Sequence, residues 1–286
     1  MKKKNKFFIY LVLIIICLMI LIPTYGLFIN SLKSLKDLST NKWGLPNEWE
    51  FSNYTRVWTG NTRDVELVNI KPVGLSRYFY NSFRIAIPTV IMVLILSLFL
   101  AFPLARFKIR FNNTILAIVL FGIAIPHQIM FIPIFKALDI LYLYDTIWGL
   151  IIVYVGIGIP FTTFLFRNYM VQIPMGIQEA AYIDGATFWQ IFYKIIVPLC
   201  RPAIAIMAII QFQHVFNEFF YALILTNSQN VNPLTVGVAL FSSSTEAAEW
   251  QLQATAAMIL SMPTLILFIA FQKFIVKGLT MGSVKG

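Results

Sequence analysis

The sequence is poor in charged residues and in cysteine. Only 12% of the 286 residues are charged, about half the share in an ordinary soluble domain, and 59% are hydrophobic. That much apolar side chain cannot be buried in one soluble core of this size, so much of it must face lipid. Cys17 and Cys200 lie in apolar stretches without a partner at metal-site spacing, which favours small buried hydrophobic side chains.

The groups that ATPases and other enzymes need are also missing from the sequence. No phosphate-binding loop of the form G-x-x-x-x-G-K-[ST] occurs, and Gly156-Ile157-Gly158 has neither a third glycine nor a following lysine. Paired acids and a nucleophile elbow are absent, and the two histidines, His127 and His214, have no supporting acid cluster. We therefore expect no catalytic residue, no metal site and no cofactor in this chain.

The basic residues do not form one patch, although the formal net charge is +10. Proteins that bind nucleic acid gather lysines and arginines on one face or in one groove. Here the basic residues stand at the edges of apolar runs, as the positive-inside rule for membrane proteins expects. The charge pattern therefore indicates membrane lipid, and not nucleic acid, as a partner.

Six apolar segments are long enough to cross a membrane, which takes about 20 residues. The first follows a lysine-rich start and has no small-x-small cleavage site behind it, so we interpret it as an uncleaved span. The predicted fold class is an all-α integral membrane protein. The six predicted spans are Phe7–Phe28, Tyr80–Pro103, Ile115–Phe135, Ile147–Phe166, Val197–Leu225 and Ala254–Val276.

The charges of the short connections predict the orientation of the spans. The N-terminal tail carries four lysines and no acid, whereas the stretch from Asn227 to Gln253 carries two acids and no base. With six spans, both termini are then cytosolic. We expect a first helix over 1–30, an extracytoplasmic loop over 31–76, a five-helix core over 77–278 and a cytosolic tail over 279–286.

Several polar residues fall inside the predicted spans. In the fifth span, Gln211, His214, Glu218 and Tyr221 are spaced to share one helical face, and Asn217 lies beside them. Polar groups in a membrane usually face a cavity or a partner. Two interpretations stay open: this stripe lines a translocation path and binds sugar hydroxyls, or Asn217 and Glu218 bond neighbouring helices. Two residues of other spans, Gln128 and Tyr154, are further candidates for the path.

The connection between the fourth and fifth spans, about 170–195, has its own pattern. It predicts a helix, a turn at Asp184-Gly185 and a second helix, because Asp bonds the local backbone and Gly allows positive φ. Ala180 and Ala181 offer a small surface for close approach of another chain. The second helix has an aromatic face, which we expect at the membrane interface; it consists of Phe188, Trp189 and Phe192.

This connection resembles the EAA loop of binding-protein-dependent ABC importers. The matching pattern is Glu179-Ala180-Ala181, three residues, Gly185, nine residues, then Ile195-x-Val197-Pro198, with Val197 where the family usually has Leu. Other stretches resemble the carbohydrate-uptake branch, in particular the smaller permease subunit of the maltose importer. They include Asn30-Ser31-Leu32-Lys33, Phe216-Asn217-Glu218-Phe219 and the end of the chain from Gly278 to Gly286.

The resemblance implies a type I ABC importer permease in the bacterial cytoplasmic membrane. Its partners would be a second related permease subunit, two ATPase subunits that bind ATP and Mg, an extracytoplasmic solute-binding protein and a carbohydrate, such as an oligosaccharide or another glycan. The loop would dock on an ATPase as a coupling helix, and the tail would touch the ATPases too. The implied coupling residues are Glu179, Ala180, Ala181, Asp184, Gly185 and Ala186, and the implied tail residues are Gly282, Ser283, Val284, Lys285 and Gly286.

Three alternatives stay open from the sequence. A permease of the same architecture could carry a solute other than a sugar. A secondary transporter or channel would work without ATP, but it needs no EAA loop, and proton coupling would need more intramembrane acids than Glu218. An intramembrane enzyme is disfavoured by the missing catalytic groups.

Overall fold

A computed structural model of the chain describes residues 3–60, 74–107, 110–244 and 249–281. Within these ranges the chain is helical and forms no strand. It divides into two compact units. One contains Met1–Phe79 and Leu234–Pro263, and the other contains Tyr80–Pro233 and Thr264–Gly286. The predicted domain boundaries follow the order of the spans along the chain and stay a prediction.

Four helices are long and apolar enough to cross a membrane by themselves. Two further apolar segments are each bent pairs of helices, which brings the number in the described part of the chain to six if each pair is one span. This agrees with the six predicted spans. The four long helices are α1 (Lys3–Ser31), α4 (Leu75–Arg106), α7 (Ile147–Val171) and α14 (Trp250–Met281).

The third predicted span consists of two helical arms with a sharp bend at Pro126. Helix α5 ends before Pro126, and its arm meets the following arm, Gln128–Ile140, at 86°. The cause is local: Ile125 is extended, as a residue before proline prefers, and proline has no N–H to continue the helix. The elements are α5 (Asn112–Ala124), a 3₁₀ turn (His127–Met130) and α6 (Phe131–Ile140).

The fifth predicted span is also broken into several helices. A bend of 71° separates Phe188–Leu199 from Arg201–Phe216, at a point flanked by Pro198 and Pro202. The main helix then stops at Phe216, and a separate short helix follows. In order, the elements are α8 (Met175–Ile183), α9 (Phe188–Ile191), a π turn (Phe192–Ile196), α10 (Val197–Leu199), α11 (Arg201–Phe216) and α12 (Phe220–Leu225).

In the first unit, hydrogen bonds connect the end of α1 with the start of α14 and with a short segment that follows α1. This segment has two small helices, α2 (Leu35–Thr40) and α3 (Ser52–Thr59), and the unit also holds α13 (Leu234–Ser244). The buried amide of Asn53 donates to the Ser31 carbonyl at 3.0 Å, and the Thr255 hydroxyl donates to the same oxygen at 3.0 Å. Burial lowers the pKa of the fully enclosed Lys33 below its usual range, and Asp37 opposes this.

The second unit has two apolar clusters that pack α4, α7 and α11 together. One is centred on side chains such as Ile85, Leu150 and Val215, and the other on Phe102, Phe166 and Met207. At one point the helices approach closely: a Cβ at Gly158 would lie 2.9 Å from both Gln211 Oε1 and Val93 Cγ2. A Cβ at Gly156, two residues earlier, would have no neighbouring atom within 4 Å. Gly158 therefore allows the close approach of the neighbouring helices.

Candidate functional site

The segment after α7 forms the predicted helix, turn and second helix. Helix α8 ends at Ile183, and Gly185 has a φ of +79°, the left-handed conformation that glycine adopts without strain. The Gly185 and Ala186 amides donate to the Tyr182 and Ala181 carbonyls at 3.0 and 2.9 Å, which closes the end of the helix. The turn at Asp184-Gly185 is therefore confirmed.

The second helix starts from a capping box. The Gln190 amide donates to the Thr187 hydroxyl at 3.4 Å, and the Gln190 side-chain oxygen accepts from the Thr187 amide at 2.8 Å. These two bonds satisfy N–H groups that a helix start leaves without partners. Only a few residues thus separate α8 from α9, and each side of the turn is fixed by its own hydrogen bonds.

The two faces of α8 have different environments. Ala181 is 9% exposed and packs in the second apolar cluster, and Gln178 is 3% exposed. Glu179, Ala180 and Ile183 are exposed, and Ile183 has 87% of its surface free. We call these three residues the outer face of α8. Ala181 thus belongs to the inside of the protein, contrary to the surface role expected for it.

Ile183 was missed in the sequence reasoning. The available signal was its position four residues after Glu179, which places the two on one side of a helix. Its exposed aliphatic side chain thus stands on the same side of α8 as the Glu179 carboxylate. Asp184 is exposed as well, and Ala186 is half-buried beside the same apolar cluster.

The aromatic residues of the second helix pack mainly inside the protein. Phe192 is 2% exposed, and its ring lies 5.0 Å from that of Phe99 and 5.1 Å from that of Phe102 on α4. The Phe188 ring lies 5.1 Å from that of Phe102. The expected membrane-interface face is therefore wrong for Phe192, whereas Trp189 stays 55% exposed.

Glu218 lies in the break between α11 and α12 and accepts hydrogen bonds from both α7 and α12. Its carboxylate accepts from the Tyr154 hydroxyl at 2.6 Å and from the backbone amides of Tyr221 and Ala222 at 2.9 and 3.2 Å. The two amides belong to the first turn of α12, which has no partners for them within the helix. Glu218 therefore starts α12 and ties it to α7.

The predicted single face of Gln211, His214, Glu218 and Tyr221 does not exist. Gln211 is 4% exposed, and its amide donates to the Thr162 hydroxyl of α7 at 2.8 Å. His214, three residues further along α11, is exposed. Because the helix ends at Phe216, Glu218 and the buried Tyr221 follow a different axis.

The exposed side of α11 carries a different set of polar residues. Gln213, His214 and Asn217 lie at helical spacing of one and four residues and are all exposed in this chain. We call them the polar face of α11; Gln213 was missed because the sequence pattern favoured Gln211. Gln128 is also exposed, whereas Tyr154 is buried and donates to Glu218. The His127 side chain and the tail from Gly282 to Gly286 lie outside the described residues.

No group of three or more potential metal ligands occurs among the residues that the structure describes. A protein-family sequence model matches residues 93–281 of the chain. This range includes α8 with its outer face, the turn at Gly185 and the polar face of α11. That family is described as binding-protein-dependent transport system inner membrane components. The chain belongs to this family.

Known proteins match this chain over nearly its whole length. It is 29% identical to the diacetylchitobiose uptake system permease protein NgcG of Streptomyces coelicolor, over 95% of this chain and 86% of the relative. It is 32% identical to the osmoprotective compounds uptake permease protein GgtD of Synechocystis, over 97% of this chain and 91% of the relative. A chain of a bacterial ABC transporter involved in the import of the acidic polysaccharide alginate has the same fold, with a TM-score of 0.78. The two are 24% identical, and the match covers 96% of this chain and 98% of the other.

The family confirms the predicted type I ABC permease fold and the location in the bacterial inner membrane. It also confirms that this chain is the translocation subunit and not the enzyme of the transporter, whose ATPase is a separate partner. The dependence on a binding protein is part of the family description. The individual coupling, tail and path residues stay predictions.

Proposed function

We propose that this chain is a permease subunit that moves a carbohydrate, such as an oligosaccharide, across the bacterial cytoplasmic membrane. The observation that carries the proposal is the outer face of α8, a rigid helix with an exposed carboxylate and an exposed aliphatic side chain beside a fixed turn. Support for the solute comes from the uptake of diacetylchitobiose by one relative and of alginate by the transporter of like fold.

In this proposal α8 is the coupling helix. Glu179 makes a charge-assisted hydrogen bond in a cleft of the ATPase, and Ile183 fills an apolar part of that cleft. Ala180 allows close approach, and Asp184, Gly185 and Ala186 keep the turn in shape. Because Ala181 packs inside, it fixes the helix to the spans. ATP and Mg are bound by the two partner ATPases, which the tail residues Gly282–Gly286 also touch.

The solute path runs along the polar face of α11. Gln213, His214 and Asn217 are exposed in the isolated chain, and polar side chains of a spanning helix avoid lipid at considerable cost. A second permease subunit opposite this face would enclose a polar route, and amide and imidazole groups suit sugar hydroxyls. Gln128 adds a polar group to this route. Gln211, Tyr154, Glu218 and Tyr221 shape the wall, because their polar groups serve helix contacts.

A second candidate solute is a small osmoprotective compound, because GgtD transports such compounds and is 32% identical over 97% of this chain. The alternative changes only the solute and leaves the coupling mechanism as proposed. Uptake from a mixture distinguishes the two: excess unlabelled oligosaccharide or excess osmolyte competes with the true solute and not with the other class.

The test is uptake and ATP hydrolysis by the complete transporter in proteoliposomes, with its binding protein inside or outside. Glu179→Ala and Gly185→Pro are compared with the wild type, and Glu48→Ala, an exposed acid of the loop after α1, is the matched control. We expect both α8 variants to lose solute-stimulated hydrolysis and uptake while still assembling with the second permease. Survival of uptake in both variants would overturn the coupling role and favour transport without ATP.

A further inference from the structure

The guanidinium of Arg106 lies at the junction of a spanning helix and the coupling helix. Arg106 is the last residue of α4 and only 6% exposed. Its Nη1 donates to the Ile173 carbonyl at 2.8 Å and contacts the Met175 sulfur at 3.2 Å. These two residues flank Pro174, which immediately precedes α8. One side chain therefore bonds the end of α4 to the start of α8.

Part of the hydrogen-bonding capacity of this buried guanidinium is unused. Its Nε and Nη2 atoms are buried without a hydrogen-bond partner, and among the described residues no carboxylate lies within ion-pair distance of it. Burial of such groups is costly, and replacement of buried charges by well-packed apolar side chains is often neutral or stabilising. The stability of the fold therefore does not explain why a guanidinium occupies this position.

The Ile173 carbonyl suits a fixed, directional bond. It lies two residues after the end of α7, where the carbonyls of the helix end carry partial negative charge. The Ile173 amide is itself bonded to the Met170 carbonyl at 3.1 Å, so the turn cannot easily rotate away from the guanidinium. A charged hydrogen bond to an anchored carbonyl has a defined length and direction.

Residues of α4 and α8 also share apolar packing. Ala181 of α8 and Phe102 of α4 belong to the same buried cluster. The hydrophobic effect is non-directional, whereas a hydrogen bond has a preferred length and angle. The bonds of Arg106 to Ile173 and Met175 supply a directional restraint between the end of α4 and the start of α8.

We propose that Arg106 is the positioning residue that makes α4 follow the movement of α8, so that ATP-driven motion of the coupling helix reaches the spans. This proposal rests on the proposed coupling function of α8. The guanidinium touches neither solute nor nucleotide in this arrangement; it acts by keeping the start of α8 at a constant distance from the end of α4.

The test uses the complete transporter with its partner permease, ATPases and binding protein. We compare Arg106→Met, which keeps the volume of the stem, and Arg106→Lys, which keeps one donor, with Arg201→Met as the control. Arg201 is an exposed arginine of α11 in the same unit. We expect Arg106→Met to hydrolyse ATP but to lower uptake per ATP about tenfold, as the loss of one charged hydrogen bond predicts, with partial recovery in Arg106→Lys.

A distance measurement separates positioning from simple packing. Spin labels at Ile177→Cys on α8 and Leu100→Cys on α4 are introduced in a Cys17→Ser, Cys200→Ala background; both labelled positions are exposed. We expect one narrow distance distribution with and without ATP in the otherwise wild-type chain, and a broadened or divided one in Arg106→Met. An unchanged distribution, or uptake and hydrolysis that fall in parallel with the melting temperature, overturns the proposal.

Gly185→Pro in the same assay distinguishes this proposal from the one on which it rests. If Gly185→Pro stops uptake and Arg106→Met leaves uptake per ATP unchanged, α8 is the coupling helix and only the role of Arg106 is overturned. If uptake survives Gly185→Pro, the coupling role of α8 is wrong, and the role of Arg106 with it.

Discussion

The hydroxyl of Tyr154 donates a hydrogen bond of 2.6 Å to the carboxylate of Glu218. Tyr154 lies in the first third of α7 and is 3% exposed, and Glu218 occupies the break between α11 and α12. Since the same carboxylate also accepts the first amides of α12, this bond connects three helices at a single side chain. The break in the fifth span is therefore a defined joint.

The first prediction concerns Tyr154→Phe. The change keeps the ring but removes the donor, so the Glu218 carboxylate loses one of its partners in a largely buried place. We expect the transporter to lose about 1–3 kcal/mol of stability and to show a lower melting temperature. Tyr10→Phe, at an exposed position of α1, is the control and should leave the melting temperature unchanged. Equal melting temperatures for both variants would contradict the role of the hydroxyl.

The second prediction compares two glycines of α7. Gly158→Val places side-chain atoms where Val93 and Gln211 already lie, whereas Gly156→Val enters open space. We expect Gly158→Val to destabilise the protein by about 1–3 kcal/mol, the usual cost of overpacking, and to reduce the yield of assembled transporter. Thermal unfolding followed by size-exclusion chromatography measures both variants. If Gly156→Val is as harmful as Gly158→Val, close approach of the helices is not the reason for the glycine.

The third prediction concerns the turn after α8. Gly185→Ala introduces a Cβ at a φ of +79°, which costs about 1 kcal/mol although the surrounding space is open. Gly176→Ala, inside α8 and equally open, removes a poor helix former and should slightly stabilise the helix. We expect stimulated ATP hydrolysis to fall in Gly185→Ala and to stay normal in Gly176→Ala. The opposite order would show that the left-handed turn is unimportant for coupling.

The fourth prediction concerns the outer face of α8. Ile183→Ser removes an 87% exposed aliphatic side chain, so folding and insertion should not change. Association with the ATPase should weaken about tenfold or more, because burial of such a side chain in an interface contributes roughly 1.5–3 kcal/mol. Tyr142→Asn is the control: Tyr142 is 92% exposed and has a φ of 55°, which Asn tolerates. Copurification of the ATPase with each variant gives the answer, and an undiminished yield with Ile183→Ser excludes the contact.

Some features could be predicted because they depend on neighbouring residues alone. The turn at Gly185 follows from a residue that accepts positive φ beside an aspartate. The approximate positions of the six spans follow from long apolar runs, which have no other stable solution in this composition. The bends of the third and fifth spans lie beside Pro126, Pro198 and Pro202, as the missing N–H of proline explains, although the size of each bend does not follow from the sequence.

Other features depended on where a helix ends. Gln211 and Glu218 share a face only if one helix continues through both, and the chain instead ends α11 at Phe216. Glu218 then starts the next helix, and Gln213 takes the exposed place that Gln211 was expected to occupy. Similarly, Ala181 faces the apolar cluster while Ala180, its neighbour, is exposed. Local sequence does not contain these orientations, because they arise from contacts between segments far apart in the chain.

The sequence by itself determined that the chain spans a membrane several times, that it has no phosphate-binding loop and that it carries a stretch resembling the EAA loop. These conclusions rest on composition, on the lengths of apolar runs and on the spacing of a few small and acidic residues. Tertiary structure alone decided which side of each helix is buried, where the third and fifth spans break, and that Arg106 joins α4 to α8. The reason is physical: apolar length sets membrane insertion, whereas the rotation and bending of helices are set by packing between distant segments.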